Sequence, residues 1–130
     1  MSAPDNRGQS GDDRITIFHN PRCSKSREAV GIIDTQGAAR TVVEYLKDPP
    51  GSTVLEAITK QLDVPPIQLV RTDDAAFRAL GIDPASLTTP AAIVDLLVDH
   101  PEVMQRPLVV RGDRAIIARP PERVLELLVD

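Results

Sequence analysis

The chain is poor in cysteine and in aromatic rings, with one Cys, one Tyr, two Phe and no Trp among 130 residues. A single cysteine makes no internal disulfide, so the fold does not rest on an oxidised framework, which fits a reducing compartment. So few rings leave no platform for stacking nucleic-acid bases. A basic excess is missing too: the formal net charge is -4, where a nucleic-acid-binding domain usually carries a positive balance. No apolar run approaches the roughly 20 residues of a membrane helix. The stretch Met1 to Asp13 holds no signal-peptide core. The expectation is a cytoplasmic protein that engages neither nucleic acid nor membrane.

What is present is a globular balance of 42% hydrophobic and 26% charged residues, at a length that suits one domain. With rings scarce, the core must come from Leu, Ile, Val and Ala. Residues 1–13, rich in Ser, Asp, Gly and Asn, read as a disordered tail. Residues 14–130 read as a single domain.

Ile15-Thr16-Ile17-Phe18 is a short β-rich run, expected as a buried strand and broken by Asn20-Pro21. From Ser24, the spacing of Ala29, Val30, Ile32 and Ile33 predicts a helix that stops at Gly37. Thr41 to Tyr45 is a second strand, closed by Pro49-Pro50-Gly51. A strand, a helix and a strand in about fifty residues imply a parallel βαβ crossover. The middle is helical. Thr53 and Glu56 form a capping-box pattern ahead of Leu55, Ile58 and Leu62. Pro65-Pro66 opens a short turn through Leu69 and Val70. A helix follows near Asp74 to Leu80, with Gly81 as its stop, and Thr89-Pro90 opens another that ends at His100-Pro101. Leu108 to Val110 and Ala115 to Ala118 flank Arg111-Gly112-Asp113-Arg114, a hairpin-turn pattern. A last helix follows Pro120-Pro121. The order β-α-β, helical insertion, β-β-α describes an α/β fold with a thioredoxin-like mixed four-stranded sheet. Pro107, just ahead of a strand, stands where that fold places a cis-proline.

The lone cysteine lies in His19-Asn20-Pro21-Arg22-Cys23-Ser24-Lys25-Ser26-Arg27. Free cysteines are often buried small hydrophobes, but these neighbours belong to a loop and a helix start. At a helix N-terminus, unpaired amides and the dipole stabilise a thiolate and cradle an oxyanion. Arg22, Lys25 and Arg27 add positive charge. A dithiol enzyme would need a second cysteine at position 26, where Ser26 stands. A cysteine phosphatase loop, which this stretch resembles without matching, would need arginine at position 29, where Ala29 stands. The remaining option is a monothiol nucleophile that borrows reducing thiols from outside. Cys23, His19 and His100 lack a metal-ligand spacing, so no metal is expected. Arg22 and Lys25 have three readings: tuning the thiolate, binding carboxylates of a thiol co-substrate, or solvating the loop. Arg111 and Arg114 read as a solvated hairpin edge.

The loop "HNPRCSKSR", with "LVRT" (Leu69 to Thr72), "MQRPLVV" (Met104 to Val110) and "IARPPERVLELL" (Ile117 to Leu128) in the same order, resembles the glutaredoxin-coupled arsenate reductases. That resemblance implies Cys23 as the nucleophile attacking arsenate and His19 as a histidine that helps depress the thiol pKa. It implies Arg71, Arg106 and Arg119 as catalytic arginines binding the oxyanion, with Ser26 and Arg27 as substrate-loop residues. Arginine's forked, permanently charged donors suit a tetrahedral anion, and the prolines after Arg106 and Arg119 hold both backbones extended. The resemblance further implies arsenate as substrate, glutathione or another low-molecular-weight thiol as co-substrate, glutaredoxin as partner, and no tightly bound cofactor. Two other readings differ in class. One is an Spx-like module that contacts RNA polymerase, whose redox-switch members carry the Cys-x-x-Cys absent here. The other is a thiol-transfer enzyme acting on mixed disulfides.

Overall fold

The computed structural model describes residues 14–128, so the tail expected over 1–13 lies outside the described residues. Strand β1 (Ile15–His19) runs parallel to β2 (Arg40–Glu44), linked by helix α1 (Ser24–Thr35). Strand β3 (Leu108–Arg111) pairs antiparallel with β1 and with β4 (Arg114–Ile117), so the sheet order is β2-β1-β3-β4. Helices α2 (Ser52–Gln61), α3 (Ala75–Arg78) and α4 (Pro90–Asp99) form the insertion between the two halves. This is the mixed thioredoxin-like sheet that the element order predicts. No helix among the described residues is long and apolar enough to cross a membrane.

Both faces of the sheet are covered, because the central strands are apolar on both sides. Ile15 and Ile17 of β1, Val109 of β3 and Ile116 of β4 pack with Ala29 and Ile33 of α1. The alternate residues Phe18, Leu108 and Ile117 face the other way and pack with Leu55, Ile58, Ile93 and Leu97 of the insertion. Period-two alternation thus feeds two cores from one sheet. Helix α1 is capped by Gln36, and Gly37 takes φ 70, the left-handed stop its position predicts. Gly112 takes φ 61 in the two-residue hairpin turn. Thr89 caps α4, its Oγ1 accepting the Ala92 N–H at 3.1 Å, with Pro90 at the first helical position.

Three expectations are corrected. The Thr53–Glu56 capping box does not form: α2 starts at Ser52 behind an extended Gly51, with no side-chain cap. Thr53 is already inside the first turn, and a capping residue needs a non-helical backbone. The last helix, Pro121–Leu127, is a 3₁₀ helix, and its buried residues Pro121, Val124 and Leu127 recur every three positions. That spacing faces one side only at three residues per turn. Arg111 and Arg114 are not merely solvated. The Arg111 Nη1 donates to the Leu127 carbonyl at 2.6 Å and the Arg114 Nη1 to the Glu126 carbonyl at 3.1 Å. A helix end leaves such carbonyls without acceptor duty along the helix, and basic side chains supply the missing donors.

Arg123 ties the 3₁₀ helix to the rest of the molecule. It donates to the Ile117 carbonyl at 3.1 Å, to both Glu126 carboxylate oxygens at 3.1 Å, and to Asp63 across the chain. Arg123→Ala is expected to lower stability by about 1 kcal/mol, because the Ile117 carbonyl keeps the Arg119 N–H and the carboxylates are solvated. Thermal denaturation would read this as a loss of a few degrees in Tm.

Candidate active site

The loop Asn20–Cys23 leaves β1 and turns directly into α1. Cys23 is the N-cap, with an extended backbone at φ -94 and ψ 120. Its N–H donates to the Asn20 carbonyl at 2.9 Å, and its carbonyl takes the first helical bond, from the Arg27 N–H at 3.0 Å. Ser24, Lys25 and Ser26 therefore carry amides with no helical acceptor. The half-buried thiol closes no capping hydrogen bond. Its pKa is nevertheless lowered. Burial opposes ionisation, but the Ser26 amide, the Arg106 side chain and the Lys25 amide favour the anion and together prevail.

Arg106 is thus the guanidinium that favours the thiolate. Its Nε is buried and has no partner among the described residues. Two links fix the backbone around it. Its own N–H donates to the Gln105 Oε1 at 3.2 Å, and the Arg119 Nη1 donates to its carbonyl at 2.9 Å. The peptide bonds Arg106–Pro107 and Arg119–Pro120 are both cis.

Ser26 is fully buried, and its Oγ explains how. It lies 2.6 Å from the His19 Nδ1 and accepts the Asn20 N–H at 3.1 Å. His19 has its pKa lowered, chiefly by burial, with Arg27 and Arg40 adding to the effect and Glu44 opposing it. A neutral ring with its proton on Nε2 accepts the Ser26 hydroxyl at Nδ1, and one with its proton on Nδ1 donates to the Ser26 oxygen. His19 bonds the serine whose backbone amide favours the thiolate. The Arg27 Nη1 donates to the Pro21 carbonyl at 2.9 Å and braces the loop from its exposed side.

Arg71 and Arg119 lie one step away. They line a cleft of about 430 Å³ together with Gln105, Asp73 and Asp74; neither Cys23 nor Arg106 lines it. Backbone pairing brings its two walls together: the Arg71 N–H donates to the Val103 carbonyl at 2.8 Å and the Gln105 N–H to the Leu69 carbonyl at 2.7 Å. Asp74 holds Arg71 by an ion pair of 3.1 Å while its other oxygen caps α3 at the Ala76 N–H. Among the described residues no three His, Cys, Asp or Glu side chains gather as a metal site requires.

Sequence reasoning missed Tyr45. It follows β2, next to Asn20 in the parallel register that pairs His19 with Glu44. It is 1% exposed, and its hydroxyl lies within the electrostatic reach of Asn20, Arg106, Arg71 and the Cys23 thiol. Burial raises its pKa, against the lowering effects of Arg106, Asn20 and Arg71, and keeps it a protonated donor. Only the unusual placing of a polar ring in an apolar strand run signals it in the sequence.

A thioredoxin-like sheet with one cysteine at a helix N-cap, its ionised form favoured by amides and a guanidinium, defines a thioredoxin-like protein equipped for thiol chemistry. The chain belongs to the ArsC family, which it matches over residues 18–127. It is 36% identical over 115 residues to the arsenate reductase of Haemophilus influenzae, spanning 88% of this chain and 98% of that one. The uncharacterized protein YfgD of Escherichia coli is 37% identical over 116 residues, 88% of this chain and 97% of its own. The solved structure of the arsenate reductase from Vibrio cholerae superposes with a TM-score of 0.78 at 34% identity, covering 87% of this chain and 96% of that one.

Proposed function

We propose that this protein reduces arsenate to arsenite by a monothiol mechanism, with electrons supplied by glutathione or a similar small thiol and by glutaredoxin. The observation that carries the reading is the Cys23 thiol at the α1 N-cap, where the Ser26 and Lys25 amides and Arg106 converge. Family membership and the arsenate reductases among its relatives support the substrate.

In the first step the Cys23 thiolate attacks arsenic. An As–O bond breaks, the oxygen leaves as hydroxide and takes up a proton, and a Cys23–S–As(V) ester remains. The backbone amides of Ser24 to Ser26 and Arg106 receive the anion's oxygens, where preorganised donors lower the barrier most. Tyr45, kept protonated, is the neighbouring O–H donor. A small thiol then replaces a second hydroxide on arsenic. The glutaredoxin thiolate attacks the sulfur of that thiol, an S–S bond forms, and the S–As bond breaks with its electron pair left on arsenic. Water displaces Cys23 as thiolate, and arsenite departs. Two outside thiols become one mixed disulfide as arsenic gains two electrons. The chemistry calls for no resident cofactor.

The test is arsenite formation by the purified protein supplied with arsenate, glutathione and glutaredoxin, run beside reduction of a glutathionylated peptide. Arsenite released in proportion to glutathione oxidised supports the assignment. Peptide reduction with arsenate left intact overturns it in favour of thiol transfer.

A further inference from the structure

The oxygen that leaves arsenic must take a proton from a group near the sulfur. Arginine keeps its protons in proteins, which removes Arg71 and Arg106 as acids. The buried Ser26 hydroxyl is shared between the His19 Nδ1 and the Asn20 N–H. His19 has a lowered pKa, so its ring is neutral at neutral pH and holds no imidazolium proton to give. Lys25 turns its ammonium toward Glu28, 4.0 Å away at the exposed surface. Among the described residues beside the sulfur, Tyr45 holds the titratable O–H that remains.

The fold brings Tyr45 to the sulfur by register and by packing. Strand β2 pairs Glu44 with His19, so Tyr45, next along, stands beside Asn20, whose carbonyl accepts the Cys23 N–H at 2.9 Å. The ring is 1% exposed and belongs to the core cluster that holds Leu69, Val70 and Met104. Val70 and Met104 are bridged to each other; Arg71 follows the first and Arg106 stands two residues after the second. The cysteine loop and both arginine segments therefore surround one phenol. The Asn20 Oδ1 already accepts the Arg22 N–H at 3.0 Å, and Asn20 lowers the Tyr45 pKa as a donor does. The Tyr45 proton is thus not spent on Asn20.

We propose that Tyr45 is the general acid of the first step, giving its proton to the oxygen that leaves arsenic. The S–As bond forms with the sulfur's electron pair, and the As–O bond breaks with its pair left on oxygen. The Tyr45 Oη–H bond then breaks as that oxygen becomes water. The phenolate takes a proton back from solvent, and no oxidation state changes. A phenol, near about 10, is a far stronger acid than water at about 15.7, so the transfer runs downhill. Arg106 and Arg71, which favour ionisation of Tyr45, steady the brief phenolate, and the thiolate charge that opposes it vanishes as sulfur bonds to arsenic. The proposal rests on the reading of the chain as an arsenate reductase.

The experiment compares the parent with Tyr45→Phe, which keeps the ring in its apolar cluster. Three quantities are measured: kcat/KM for arsenate with glutathione and glutaredoxin in excess, the inhibition constant of inorganic phosphate, and the rate of alkylation by iodoacetamide at neutral pH. Phosphate has the shape and charge of the substrate, and iodide departs without a proton. The expected result is a fall of about a hundredfold in kcat/KM, the lower end for a general acid, with the other two within about twofold of the parent. Unchanged kcat/KM overturns the proposal. So does a matching loss of phosphate affinity, which makes the hydroxyl a binding group, or a matching loss of alkylation, which makes it a support of the thiolate. A parent that releases no arsenite overturns the reductase reading and this step with it, whereas an active parent with any of the other three outcomes removes the acid alone.

Discussion

Cys23→Ser is expected to abolish arsenate reduction, a fall on the order of a thousandfold or more, as removal of a nucleophile does elsewhere. The reason is ionisation. Burial opposes ionisation of the thiol, but the Ser26 amide, Arg106 and the Lys25 amide outweigh it and hold the pKa below that of an ordinary thiol. A serine hydroxyl in the same place stays protonated across the working pH range and is no comparable nucleophile. The fold should persist, because Cys23 is half-buried at a loop end and the two side chains are similar in size. The assay is arsenite production with glutathione and glutaredoxin in excess, together with the thermal midpoint of both proteins. A serine variant that turns over normally would place the chemistry on another group.

Arg106→Ala is expected to reduce kcat/KM by about 10²–10³, the usual consequence of removing one donor from an anion-stabilising site. It has a second, separable signature. A cation beside the sulfur favours the thiolate, so its removal favours the protonated thiol and the pKa of Cys23 rises. The pH profile of alkylation by iodoacetamide in the ligand-free protein should shift its midpoint upward, and the rate at neutral pH should fall with the thiolate fraction. Arg106→Lys keeps the charge and loses the planar fork, so its midpoint should lie nearer the parent's while turnover remains impaired. If the alanine variant alkylates with an unchanged midpoint, the helix amides alone hold the charge and Arg106 serves only the bound anion.

Local features of the chain were readable because they are local. Asn20-Pro21 before Ser24 places Cys23 at a helix start, Thr89-Pro90 opens α4, and Gly112-Asp113 turns the hairpin, each through backbone chemistry within a few residues. The Ser26 and Lys25 amides beside the sulfur follow from the same proximity, whereas Arg106 comes from a distant segment. Tyr45 was invisible for the opposite reason: its hydroxyl reaches the loop only because β2 lies beside β1 in one particular register. The hold of Arg119 on the Arg106 carbonyl likewise depends on two segments thirteen residues apart. At Thr53 the pattern of a capping box was present, but Gly51 had already turned the chain into the helix. The positions of Arg71 and Arg119 on the cleft wall, apart from the sulfur, also depend on long-range pairing that no short motif encodes.

A single cysteine leaves this chain without a second thiol to absorb an oxidative hit. Peroxide that reaches Cys23 yields a sulfenic acid with no second thiol on the chain to condense with, and further oxidation leads to sulfinic and sulfonic forms that ordinary thiols do not reverse. Rescue must come by diffusion from the surrounding thiol pool. Under combined arsenic and peroxide stress, the lifetime of the protein's activity is therefore set by how quickly its neighbours supply sulfur.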